Sequence, residues 1–163
     1  MIALLLMSSL SGLPPSEAVL MAYHMACNVG ELRLDPSEAA VSDGKDRSTP
    51  FSLSWKWGTP KTLTYISLKY PRSTYIIIAT YNPKYPQQMA RVCQVESNAI
   101  TRQDAERGFL SAVQKPNVTR DYRHMGENPP FEIDRPKEGF RKRLMFFDAG
   151  WVVMETGFYK EAH

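Results

Sequence analysis

From residue 62 onward the hydrophobic pattern reads strand (62–69), turn (70–73), strand (74–81), loop, strand (90–96) and then helix (102–114). The run Tyr75-Ile76-Ile77-Ile78-Ala79-Thr80-Tyr81 is β-branched and aromatic without a charge, which suits a strand buried on both faces and predicts the centre of a sheet. The helix carries its own start signal. Thr101 can cap it, Asp104 stands three residues on, and Ile100 can staple against Ala105. Ala105, Phe109, Ala112 and Val113 share one helix face, which needs an apolar surface to lie on. The sheet is that surface.

The flanking pattern adds a second helix and further strands. Residues 17–29 read as helical, with Ser16 as cap, Val19, Tyr23, Ala26 and Cys27 on one face, and Gly30 where a left-handed terminator is wanted. Residues 31–34 suit a short strand, Asp35-Pro36 opens a single helical turn, and 42–50 is a polar loop. Phe51, Leu53, Trp55 and Trp57 alternate with Ser52, Ser54 and Lys56, as in a half-buried strand whose aromatics serve as core or edge cover. Residues 143–147 and 151–158 form a hairpin turning at Asp148-Ala149-Gly150, apolar on both sides and therefore expected to join the sheet. Between 115 and 139 the chain is a long polar connection, and 160–163 is a frayed tail. The expected fold is α+β, an antiparallel sheet of about five or six strands with two helices packed on one face.

Length and charge change this picture little. A chain of 163 residues supports one domain with a real core, and twelve prolines between the periodic segments argue against a helical bundle. A net charge of +3 with interspersed signs is far from a nucleic-acid-binding stripe. The N-terminus matters more. An apolar stretch from Ile2 to Met7, small and apolar residues to Leu13, Pro14-Pro15 and the triplet Ser16-Glu17-Ala18 stand in signal-peptide order, predicting a leader over 1–18 and a domain over 19–163. No Lys or Arg precedes Arg33, and the competing reading is a buried N-terminal element of a cytoplasmic domain. The apolar stretch is too short to span a bilayer.

Cys27 and Cys93 are the only cysteines. In an exported chain they tend to pair, closing a loop long enough for roughly 4 kcal/mol in the chain-entropy model; in a cytoplasmic one they would be two buried thiols. The order of short leader, first helix holding one cysteine (Met21-Ala22-Tyr23-His24-Met25-Ala26-Cys27), β-hairpin, Arg91-Val92-Cys93-Gln94-Val95 strand and second helix resembles small exported bacterial proteins of uncharacterised function. That resemblance covers about residues 19–113. It implies an envelope location and a Cys27 to Cys93 pairing, and it implies no activity.

Candidate chemistry is sparse. Asp121, Tyr122, Arg123 and His124 put an acid, a phenol, a cation and an imidazole together, so a hydrolase-like enzyme built on Asp121, Tyr122 and His124 is one alternative. No Gly-x-Ser-x-Gly motif accompanies them. Arg141, Lys142 and Arg143 form a basic run that is either a solvated face or a phosphate contact, the second alternative being a nucleic-acid-contacting protein. Tyr81 and Tyr85 flank a proline-rich loop that reads first as a hairpin connection and second as a recognition surface. The cysteines and the histidines His24, His124 and His163 lack metal-ligand spacing, and no cofactor is indicated. The expectation is a non-enzymatic binding or accessory protein of the cell envelope, periplasmic or otherwise exported, whose partner is an envelope protein or a small ligand rather than nucleic acid.

Overall fold

A computed structural model of the chain describes residues 10–30, 37–42, 58–113, 122–123 and 131–160. The hydrophobic pattern is realised as an antiparallel sheet with helices on one face. Helix α1 (Pro15–Tyr23) runs into a wider π-helical turn over His24–Val29, and α2 spans Arg102–Val113. The strands are β1 (Ala39–Ser42), β2 (Thr62–Leu68), β3 (Thr74–Thr80), β4 (Met89–Ser97), β5 (Tyr122–Arg123), β6 (Phe131–Arg135), β7 (Phe140–Phe146) and β8 (Val152–Tyr159). They lie in the order β1-β2-β3-β4-β8-β7-β6-β5.

This order corrects the expected five or six strands: among the described residues there are seven of three or more residues plus the two-residue β5. It also moves the centre of the sheet. β3 is buried on both faces, with Ile76 and Ile77 both nearly inaccessible, but the middle pair is β4 and β8. Each half of the chain is a helix followed by a four-strand meander, and the halves join antiparallel along β4 and β8 with Cys93 opposite Thr156. The sequence carries no matching repeat; the likeness is one of topology alone.

The apolar positions explain which face is covered. Ile66, Ile76, Val95, Met154 and Leu144, one from each of five neighbouring strands, share a buried cluster with Val19, Ala22, Ala26 and Cys27 of the first helical segment and Ala105 and Phe109 of α2. Leu10 and Ala18 belong to the same cluster, and the Tyr70 hydroxyl donates to the Leu13 carbonyl at 2.6 Å. Cys27 and Cys93 are disulfide-bonded with their Cα atoms 5.2 Å apart, while Val92 faces the other side of the sheet in a second cluster with Tyr65, Ile77 and Tyr81.

The helix starts depart from expectation at one end and match it at the other. α1 begins at Pro15, where the fixed φ of proline suits the first turn, with Pro14 rather than Ser16 at the cap. The Ser16 hydroxyl donates instead to Asp104 Oδ2 at 2.8 Å, tying α1 to α2. At α2 the Asp104 amide donates to Thr101 Oγ1 at 3.1 Å, and Ile100 and Ala105 are both buried, so the expected capping signal is in use. Hydrogen bonds from Ser16 and then Thr101, with the Arg107 charge beside it, hold the Asp104 carboxyl below its ordinary range.

The segment read as a polar connection holds β5, β6 and a 3-10 turn at Pro136–Glu138. β1 is a further strand where none was expected. The readings of 31–34, 51–57 and the tail from 161, including both tryptophans Trp55 and Trp57, lie outside the described residues. At the β7–β8 turn Gly150 is left-handed as expected, and Ala149 shares that conformation at φ 57°.

The two helices touch at Gly108. A Cβ built there would lie 2.5 Å from Leu20 Cδ2 and 2.7 Å from Cδ1, so a larger residue has to push the Leu20 side chain aside. Gly108→Val should therefore destabilise the fold by about 1–3 kcal/mol despite leaving the helix intact, measured as a lower denaturant midpoint. An unchanged midpoint would mean that the Leu20 side chain makes room at no cost.

Candidate functional site

The face of the sheet opposite the helices carries a row of charge, part of it in segments that the sequence pattern read as polar connection or solvated face. Strand alternation places Gln94 and Glu96 of β4, Glu155 of β8, Arg141 and Arg143 of β7, and Glu132 and Asp134 of β6 on this side. They form a row. Arg141 reaches Glu155 Oε1 at 3.3 Å, Arg143 approaches the same oxygen at 3.8 Å and Glu132 Oε2 at 3.2 Å, and Gln94 donates to Glu96. Glu96 and Glu155 are 0% and 1% exposed, which closes them to solvent and makes the row an internal brace. At its edge the Tyr159 hydroxyl donates to Asp134 at 2.6 Å; burial first, and then this bond, push the phenol above its ordinary range.

The basic run is therefore not a solvated face. Arg141 and Arg143 point into the charged row, while Lys142, on the helix side, donates to Asn28 Oδ1 at 2.8 Å and lies over the Phe140 ring. Period-two alternation split one run of three cations between two faces. Lys142 joins a polar cluster under the first helix, where the Tyr23 hydroxyl bonds Thr156 Oγ1 at 2.8 Å and burial raises the phenol pKa.

Tyr122 belongs to the short edge strand β5, and Asp121 and His124 lie outside the described residues. Tyr81 is buried in the second apolar cluster, while Tyr85 is 63% exposed on the 82–88 loop, where the Lys84 amide donates to Gln88 Oε1. His24 is exposed and bonded to Asn28. Among the described residues no three His, Cys, Asp or Glu side chains gather as a metal site.

A better candidate for contact with the outside is a half-open cavity of about 320 Å³ at one end of the sheet, between the start of α2 and the β7–β8 turn. Ile100 and Val152, both buried, contribute apolar floor. Phe146, Phe147 and Trp151 supply three aromatic side chains, and Asn98, Thr101, Arg102 and Asp148 supply polar groups, all four of them exposed residues. Arg102 lies over the Phe146 ring at 4.4 Å from its centroid and is paired with Glu106 at 3.0 Å. Trp151 stacks on Tyr75 at 6.1 Å, and Tyr75 meets Tyr65 at 5.6 Å, so an aromatic row runs from the cavity along β3 and β2. These residues escaped the sequence reading, although aromatics on both sides of the Asp148-Ala149-Gly150 turn were the signal.

The comparisons with known proteins add no analogy to this geometry: no protein-family model, curated protein or solved structure matches the chain.

Proposed function

We propose that the protein is a non-enzymatic binding or accessory protein of the bacterial cell envelope, and that the cavity beside the β7–β8 turn takes its ligand. The observation that carries this reading is the cavity itself: apolar floor, aromatic walls and a few polar groups at the rim are the composition of a ligand pocket, and its volume falls at the low end of their usual range. Its polar groups include an amide, a hydroxyl, a guanidinium and a carboxylate, which can hydrogen-bond and orient a ligand. The Cys27–Cys93 bond supports an oxidising compartment, where such bonds persist.

Packing refines where a leader would end. Cleavage after Ala18 would remove Leu10 and Ala18 from the core and cut α1 in its first turn, so the version of the export reading that fits the packing keeps residues 10–18 in the mature protein. The test is fractionation of a bacterial culture followed by alkylation and intact mass. Envelope-fraction protein with no alkylatable thiol and an N-terminus ahead of Leu10 is expected. Cytoplasmic protein with two free thiols would sink the location, and a mature start at Val19 would sink the retained segment.

A further inference from the structure

Resting on the reading of this cavity as the ligand site, we propose that its ligand is a neutral saccharide. The charges at the rim argue for neutrality. Arg102 is already paired with Glu106 and Asp148 also lines the cavity, so an anion gains little from the one and is repelled by the other, while a cation drawn to Asp148 meets the Arg102 charge. The helix N-terminus does not tip the balance toward an anion. Thr101 already accepts the Asp104 amide, and the Asp104 carboxylate stands in that first turn, supplying the negative charge that the terminus favours.

What remains is a ligand that is neutral, apolar on its faces and rich in hydroxyls at its edges. A pyranose ring has that character: its C–H faces lie against aromatic rings, here Phe146, Phe147 and Trp151, while its hydroxyls can donate to the Asp148 carboxylate and accept from the Asn98 amide. A fatty chain would use the aromatic walls but make no hydrogen bond to Asn98 or Asp148. The cavity is open on one side, so a chain of more than one sugar can lie with one ring inside.

The experiment is a titration of the isotope-labelled full chain with N,N′-diacetylchitobiose, cellobiose and maltose, following amide shifts at residues 98–102 and 146–152. At least one disaccharide should give saturable shifts confined to those residues. Phe147→Ala and Asp148→Ala, both at exposed positions on the turn, should each weaken that binding about tenfold, the equivalent of one lost contact of about 1.4 kcal/mol, with an unchanged thermal midpoint. Binding that both variants leave intact would overturn the assignment. An amidated Ala-Phe-Ala peptide and galacturonate serve as the competing classes. If either saturates the same residues and the disaccharides do not, the saccharide is wrong and the cavity remains a ligand site; if no probe shifts them, both readings fall.

Discussion

Cys93→Ser is expected to lower unfolding stability by about 2–5 kcal/mol, a large fraction of what holds a domain of this size together. The bond joins residues 66 apart in sequence, linking the π-helical turn after α1 to one of the two central strands. Cutting it returns a long loop to the unfolded chain, and the entropy of closing that loop is the main stabilisation in the chain-entropy account. It also leaves two buried positions, Cys27 and Cys93, both fully inaccessible, to be refilled by a thiol and a hydroxyl. The serine hydroxyl would need a partner in a cluster lined by Val95, Ala26 and Ile76. Cys93→Ala separates the two contributions: it removes the link without burying a hydroxyl, so it should be the milder substitution. Equal midpoints for wild type and Cys93→Ala in urea, without reductant, would mean that the bond contributes nothing to stability.

Legibility along the chain followed how directly a residue's environment was set by its own segment. The strands β2, β3 and β4 and helix α2 were readable to within a residue or two because local signals agreed: a turn at Pro71-Arg72, an uncharged β-branched run, and a capping threonine with an acid three residues on. The disulfide was expected only on condition of export and from the resemblance; in the structure Cys27, in the π-helical turn after α1, and Cys93, on the opposite side of β4 from Val92, meet between helices and sheet. Position within the sheet was another matter. The most hydrophobic strand was expected at the centre, but centrality depends on which strand the C-terminal hairpin joins, and β8 chose β4. No local signal encodes that choice.

β6 illustrates the opposite failure. Phe131 and Ile133 alternate with Glu132 and Asp134 in strand period, but the charges made the segment read as part of a polar loop. Those carboxylates sit opposite Arg143 and Arg141 in register, and only the pairing of β6 with β7 turns a polar stretch into a half-buried strand. The basic run was misread for the same reason, because its partners lie on other strands. The cavity was hidden more thoroughly. Asn98 and Arg102 approach Phe147 and Asp148 only because Ser97 at the end of β4 pairs with Val152 at the start of β8, so residues about 45 positions apart make one rim.

The charged row yields the second large expectation. Glu155→Ala should cost about 3–5 kcal/mol, because it removes the buried carboxylate 3.3 Å from the Arg141 guanidinium, whose side chain is only 7% exposed, and with it a second partner of Arg143. The sign of this effect depends on breaking the pair rather than on the pair being intrinsically strong. Replacing both partners, Arg141→Met with Glu155→Met, takes two charges out of the interior together and should recover a substantial part of the loss, leaving the double variant more stable than Glu155→Ala alone. Arg143 would then retain Glu132 at 3.2 Å as its partner, which is why the recovery is possible without touching a third residue. Urea unfolding of the three proteins decides it: a double variant no more stable than Glu155→Ala would mean that the row is held by specific hydrogen bonding across β7 and β8 and not by the balance of buried charge.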